Sequence, residues 1–247
     1  MADRIGDLFL QQTRYESLIP SDQEKGRAQP DLQRVFATGD RVPLPSPADL
    51  NVPAKDVRDA IETRSSLRKY AEKPLSVHEL SFLLWCTQGV KRVEPERWTL
   101  RNVPSAGARH PFETILLANR VDGLTPGLYQ YLALEHELRV FDSTEGVARR
   151  LATACLGQKT LETCAVAFLW VADRYRMAWR YGERGIRYLF LDAGHVCQNL
   201  YLAAETIGGG TCAIAAFNDD QVNDLLGLDG VDAFTAYIAT VGIRVAE

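Results

Sequence analysis

Apolar residues recur at three- and four-residue steps through Leu189, Ala193, Val196, Leu200, Ala203 and Ile207, which stacks them on one side of a helix. Asp192, His195, Asn199 and Glu205 fall largely outside that stripe, so the pattern predicts a long amphipathic helix. Gly208-Gly209-Gly210 ends it, because glycine accepts the left-handed conformation of a helix stop, and a small-residue strand over 212–216 follows. A charged, tyrosine-bearing segment precedes it. Val57–Thr63 reads as a short helix. A second helix starts at Ser76, where Glu79 can reach back to the cap and Leu75 can staple to Leu80; it carries Leu80, Leu83 and Leu84 on one side and stops near Gly89. Apolar runs over Phe112–Ala118 and 165–172 predict strands, the second fully buried. Residues 127–133 and 138–141 predict a hairpin around Glu135-His136-Glu137, 145–156 a helix and 234–241 a last strand. Hairpins and helices mix without strict alternation, which favours an α+β fold over a doubly wound sheet.

Residues 14–53 break these periods. Pro43, Pro45, Pro47 and Pro53 lie close together among charged and small polar groups, which predicts an extended arm or linker over 1–53 and a folded domain over 54–247. A net charge of −4 leaves no electrostatic footprint for nucleic acid, and no lysine/arginine run suggests a membrane surface. The first residues lack the basic start and apolar core of a signal peptide, and no apolar run approaches the ~20 residues that span a bilayer. Five widely spaced cysteines among apolar neighbours favour reduced, packed thiols, and with them a cytoplasmic protein. His78, His110, His136 and His195 are too scattered for a metal centre, and His195 reads as a packed helix histidine.

Three segments could carry chemistry. Arg64-Ser65-Ser66-Leu67-Arg68 sets two guanidinium groups and two hydroxyls just after a helix, a donor set that suits a phosphate and equally a solvated face. Pro104-Ser105-Ala106-Gly107-Ala108-Arg109-His110-Pro111 is a small-residue loop whose backbone can approach a planar ligand, or a plain turn; His110 is a substrate donor or a satisfied polar residue. Arg180-Tyr181 pairs a cation with a phenol that can act as acid or base, or stands as a surface pair. The triple glycine follows a helix, whereas a dinucleotide fingerprint opens one after a strand; a P-loop, a serine-hydrolase elbow and a zinc signature are missing too.

In order along the chain, RSSLRKY, ELSFLLWCTQGV, VPSAGARHPFE, GLYQY, RYGERGIRYLFLDAGHVCQNLYLAAETIGGG and LLGLDG resemble the FMN-dependent nitroreductase superfamily, and within it the SagB-type (thiazole/oxazole-forming) peptide dehydrogenases. The resemblance implies an α+β fold, an antiparallel or mixed sheet flanked by helices, in an intertwined homodimer that builds its FMN clefts from both subunits. It maps the family's cofactor-binding motif onto Arg64, Ser65, Ser66 and Arg68, and implies that Arg64 and Ser66 hold the phosphate and ribityl chain and that Arg68 lies near the flavin N1–C2=O edge. Pro104, Ser105, Ala106 and Gly107 would line the flavin, the backbone around Ala215 and Ala216 would face its N5, and Arg244 would add a phosphate contact. Classical nitroreductases carry asparagine where Ala108 stands, which favours the SagB-type branch. That branch carries lysine where Arg180 stands. Arginine is a poor base at neutral pH, so Tyr181 would have to take the proton. The implied activity is oxidation of a thiazoline or oxazoline, in a peptide or carrier-bound natural product, to the azole. A separate cyclodehydratase or synthetase would supply that substrate. The alternatives are an NAD(P)H-dependent nitro or quinone reductase and a non-catalytic flavoprotein subunit of a biosynthetic complex.

Overall fold

The computed structural model describes residues 4–245; the first three and last two residues of the predicted arm and domain lie outside them. In chain order the elements are α1 (Ile5–Gln12), β1 (Arg41–Pro43), α2 (Val57–Thr63), α3 (Val77–Gln88), β2 (Val90–Glu94), β3 (Trp98–Arg101), β4 (Phe112–Ala118), β5 (Gly127–Leu132), β6 (Glu137–Asp142), α4 (Val147–Ala154), α5 (Thr160–Thr163), β7 (Val166–Asp173), α6 (Arg174–Tyr181), α7 (Gly185–Thr206), β8 (Gly209–Ile214), α8 (Asp219–Leu225) and β9 (Ala233–Ile243). Seven strands form one antiparallel sheet in the order β1-β6-β5-β4-β7-β9-β8, and β2 and β3 pair apart from it.

The apolar runs of β4 and β7 follow from helices covering both faces of the sheet. Successive side chains alternate: Leu116, Phe168 and Trp170 meet Leu83 of α3 and Val196 and Leu200 of α7, whereas Ile115, Leu117 and Leu169 meet Leu151 of α4 and Val222 of α8. The Ser76–Glu79 capping box forms in both directions, fixing the start of α3. Four cysteines are buried, Cys86 is half-buried, and all five are free thiols. No described helix is long and apolar enough to cross a membrane.

Several expectations need correction. Only Gly208, at φ 67°, turns the chain after α7. Gly209 and Gly210 already pair with Ile243 and Gly242, so the strand runs over Gly209–Ile214 and leaves Ala215 and Ala216 beyond its end. Asp192 and Glu205 are buried, and His195 is exposed instead of packed. At about 100° per residue Asp192 lies next to Val196, on the border of the apolar stripe, whereas His195 points further round the helix. The segment before α7 is itself helical, and Gly182 at φ 54° separates α6 from α7. Much of residues 14–53 is irregular, as its prolines require, yet it is laced to the sheet. Phe36 and Ala37 donate backbone N–H groups to Gln130 Oε1 at 2.8 and 3.0 Å, and β1 extends the sheet beside β6.

Candidate functional site

The segment after α2 lies along β8. Leu67 N–H donates to Thr211 O at 2.9 Å, and Ser66 bridges to Thr211. This approach requires Gly210, because a Cβ there would come within 2.8 Å of Leu67 Cβ. The result is a cluster at the end of α7. Arg64 stacks on the Tyr201 ring at 5.5 Å, Ser66 Oγ lies 3.1 Å from the Tyr201 hydroxyl, and Ala213 N–H donates to that hydroxyl at 3.0 Å. Arg244 donates to Ser65 Oγ at 3.1 Å and pairs with buried Glu205, which Lys55 meets at 3.1 Å from its other side. Arg64 and Arg68 have no carboxylate within 4 Å among the described residues, and both are exposed. Burial pushes the Cys212 thiol up, and nearby Arg68 pulls it down.

A separate cleft of about 520 Å³ lies along α7 and past the end of β8, lined by Phe190, Gly194, Ala215, Phe217, Asp219 and Tyr237. Its walls are mostly apolar, with Asp219 and Thr235 among them, and the space beside Gly194 is open. Ala215 borders this cleft. Ala216 does not; its carbonyl accepts from Gln158 Nε2 at 2.7 Å.

The loop from Pro104 to Pro111 lies elsewhere. Ala106 donates its N–H to Asp192 Oδ1 at 3.3 Å. Gly107, at φ 57°, packs so closely on Arg180 and Tyr181 that a Cβ would overlap the Tyr181 hydroxyl. Ser105 Oγ accepts from His110 N–H at 2.8 Å, and Pro104 is exposed. His110 is packed rather than offered to a substrate; burial and the charge of Arg101 push its pKa down to about 2 and keep it neutral. Asp192 and Tyr201 are about two and a half turns apart on α7, which sets them on opposite flanks and about 13 Å apart along the axis. The structure therefore brings Arg64, Ser65, Ser66 and Arg244 together, and separately Ser105, Ala106, Gly107, Arg180 and Tyr181. It does not join the two sets within one chain.

Lys55, Tyr201, Glu205 and Asp192 were missed as site residues. Acids at 192 and 205, on the border of the apolar stripe of α7, were the available signal. Asp192 Oδ2 is buried with no partner, and burial pushes its carboxyl up against the pull of Ser105 and Ala106. A native state that binds the extra proton loses stability as pH rises through the raised pKa. Asp192→Asn keeps an acceptor for Ala106 and removes that charge. Its melting temperature should exceed the parent's by about 2–4 °C at neutral pH. Below the ordinary value of 3.8 the two should coincide. Melts at the two pH values check this, and an equal gain at both would rule out ionisation as the cause.

The Nitroreductase family model matches residues 61–243. A Methanocaldococcus jannaschii protein named for the nitroreductases is 34% identical over 171 residues, covering 69% of this chain and 83% of its own length. The trifolitoxin-processing protein TfxB of Rhizobium leguminosarum bv. trifolii is 30% identical over 131 residues, which is 51% of this chain and 35% of that protein. Among solved structures, a nitroreductase-type protein from Anabaena variabilis superposes with a TM-score of 0.65 at 32% identity, over 77% of this chain and 38% of that one. The chain thus spans little more than a third of two of these relatives.

Proposed function

The chain belongs to the nitroreductase family, and from that premise we propose that it is an FMN-dependent dehydrogenase that oxidises a thiazoline or oxazoline of a peptide or carrier-bound natural product to the azole. The observation that carries the reading is the meeting of Arg64, Ser65, Ser66 and Arg244 at the end of α7, the same helix that lines a mostly apolar cleft. Arg64, Ser65 and Ser66 would hold the phosphate, with Arg244 kept beside them by Glu205. Arg68 would supply positive charge near the ring. FMN, when bound, supplies a two-electron acceptor for the hydride that leaves the azoline ring.

The loop at 104–107 and the pair at 180–181 stand on the other flank of α7, so a second copy of the chain would bring them over the cleft. This supports a homodimer whose two sites each draw on both subunits. Tyr181 would take the ring proton, and Arg180, which cannot release its own, would stabilise the anion that forms. A relative named for trifolitoxin processing supports a biosynthetic setting, in which a separate cyclodehydratase or synthetase supplies the azoline.

Arg64→Ala tests the cofactor assignment. Loss of a charge-assisted phosphate contact should weaken FMN binding about a hundredfold, while the melting temperature of the apoprotein stays the same. Titration followed at the flavin band near ~450 nm measures it. Wild-type protein that takes up no FMN would contradict the proposal outright.

A further inference from the structure

Residues 15–24 lie outside the region that the family model matches, yet they close a second cleft of about 450 Å³ over Arg180, Tyr181 and Arg184. Several contacts hold this strap in place. Gln23 N–H donates to Trp179 O at 2.8 Å, the Trp179 indole donates to Arg27 O at 3.0 Å, and Arg184 Nη1 donates to Thr13 O at 2.7 Å. Arg184 also stacks on the Tyr15 ring at 4.2 Å and donates through Nε to the Tyr188 hydroxyl at 2.7 Å. Its guanidinium is thereby fixed in direction with Nη2 left free of these bonds.

The lining is rich in donors and short of acceptors. Among the described residues neither Arg180 nor Arg184 has a carboxylate within 4 Å. The one acid in the cleft, Glu24, is turned toward its own turn, where Oε2 accepts from Ser21 N–H at 2.7 Å and Ser21 Oγ at 2.9 Å. These bonds hold its carboxyl below the usual range, so it stays an anion without neutralising either arginine. The Arg180 and Arg184 guanidinium groups facing this space complement a carboxylate, while the Tyr15 hydroxyl is shared with Tyr188 at 2.8 Å and Tyr181 is left to act on the ring.

We propose that the strap cleft binds the free C-terminal carboxylate of a peptide substrate whose last residue carries the ring on which Tyr181 acts, which within the substrate class named above selects such a peptide over a carrier-bound thioester. The proposal rests on the reading of Tyr181 given above for its position relative to chemistry; the anion site itself stands on Arg180, Arg184 and the strap that covers them. An enzyme built this way distinguishes a substrate with a free acid from its amide or ester.

Calorimetric titration of the full FMN-loaded chain with thiazole-4-carboxylate and with thiazole-4-carboxamide tests it. The acid should bind about tenfold more tightly than the amide, and Arg184→Gln should abolish that preference. Arg184 also anchors the strap, so Ile19, 76% exposed on the cleft wall, provides an independent pair of variants. Ile19→Lys should strengthen, and Ile19→Glu weaken, carboxylate binding about threefold, with the amide unmoved. Equal affinity for acid and amide in the wild type, or Ile19 variants that shift both probes alike, would overturn the proposal. The same samples are scored for flavin by absorbance. Colourless protein that still prefers the acid would sink the flavoenzyme reading and keep the cleft, and yellow, active protein without the preference would do the reverse.

Discussion

Tyr181→Phe should slow single-turnover oxidation of a thiazoline by at least about a hundredfold, the usual contribution of a positioned acid or base, with FMN affinity unchanged. The phenylalanine keeps the edge-to-face packing on Tyr188, where the ring centroids are 4.8 Å apart, so the change isolates the hydroxyl. That hydroxyl reaches the 104–107 loop only because residue 107 is glycine. Arg180, 5.7 Å over the same ring, fixes the sign of the local field but cannot accept a proton. Stopped-flow measurement of the oxidation step decides the point. A Tyr181→Phe variant as fast as its parent would remove Tyr181 from the chemistry and leave the strap cleft and flavin site untouched.

Arg176→Met should lower stability by about 3–5 kcal/mol, the cost of leaving a buried charge without its partner. Arg176 is 1% exposed and donates to Glu113, 2% exposed, at 2.7 Å. It also donates to His110 O at 2.9 Å, and Glu113 accepts Arg34 N–H at 2.7 Å. One guanidinium therefore ties the end of the 104–111 loop, β4 and the N-terminal arm to α6, the helix that ends in Arg180 and Tyr181. Denaturant unfolding of Arg176→Met, Glu113→Gln and the double variant measures the coupling. The double variant should be more stable than the sum of the single losses allows, and strict additivity would show that the pair does not act as a unit.

The elements that packing dictates were legible in the chain. β4 and α2 have the predicted ends, and Ser76 and Glu79 form the predicted box, because each depends on local periodicity or on a cap three residues away. The arginine–serine cluster was legible only in part. Arg64, Ser65, Ser66 and Arg244 lie close together, and Tyr201, Glu205 and Lys55 join them through contacts between residues more than a hundred positions apart. Periodicity cannot register such contacts. The glycine run misled for a physical reason: a glycine that turns a helix and a glycine that lets Leu67 lie against a strand look the same in sequence. The strap over Arg180 was hidden in a proline-rich segment whose order comes from hydrogen bonds to α6 and to Arg184 and not from its own pattern.

The central claim is that electrons flow from an azoline substrate to FMN. Anaerobic mixing of the FMN-loaded protein with a thiazoline carboxylate, followed near ~450 nm, tests it most directly. Loss of the flavin band with formation of one equivalent of thiazole is expected, at a rate that NADPH does not match. A flavin that NADPH bleaches rapidly, and that the thiazoline leaves oxidised, would contradict it.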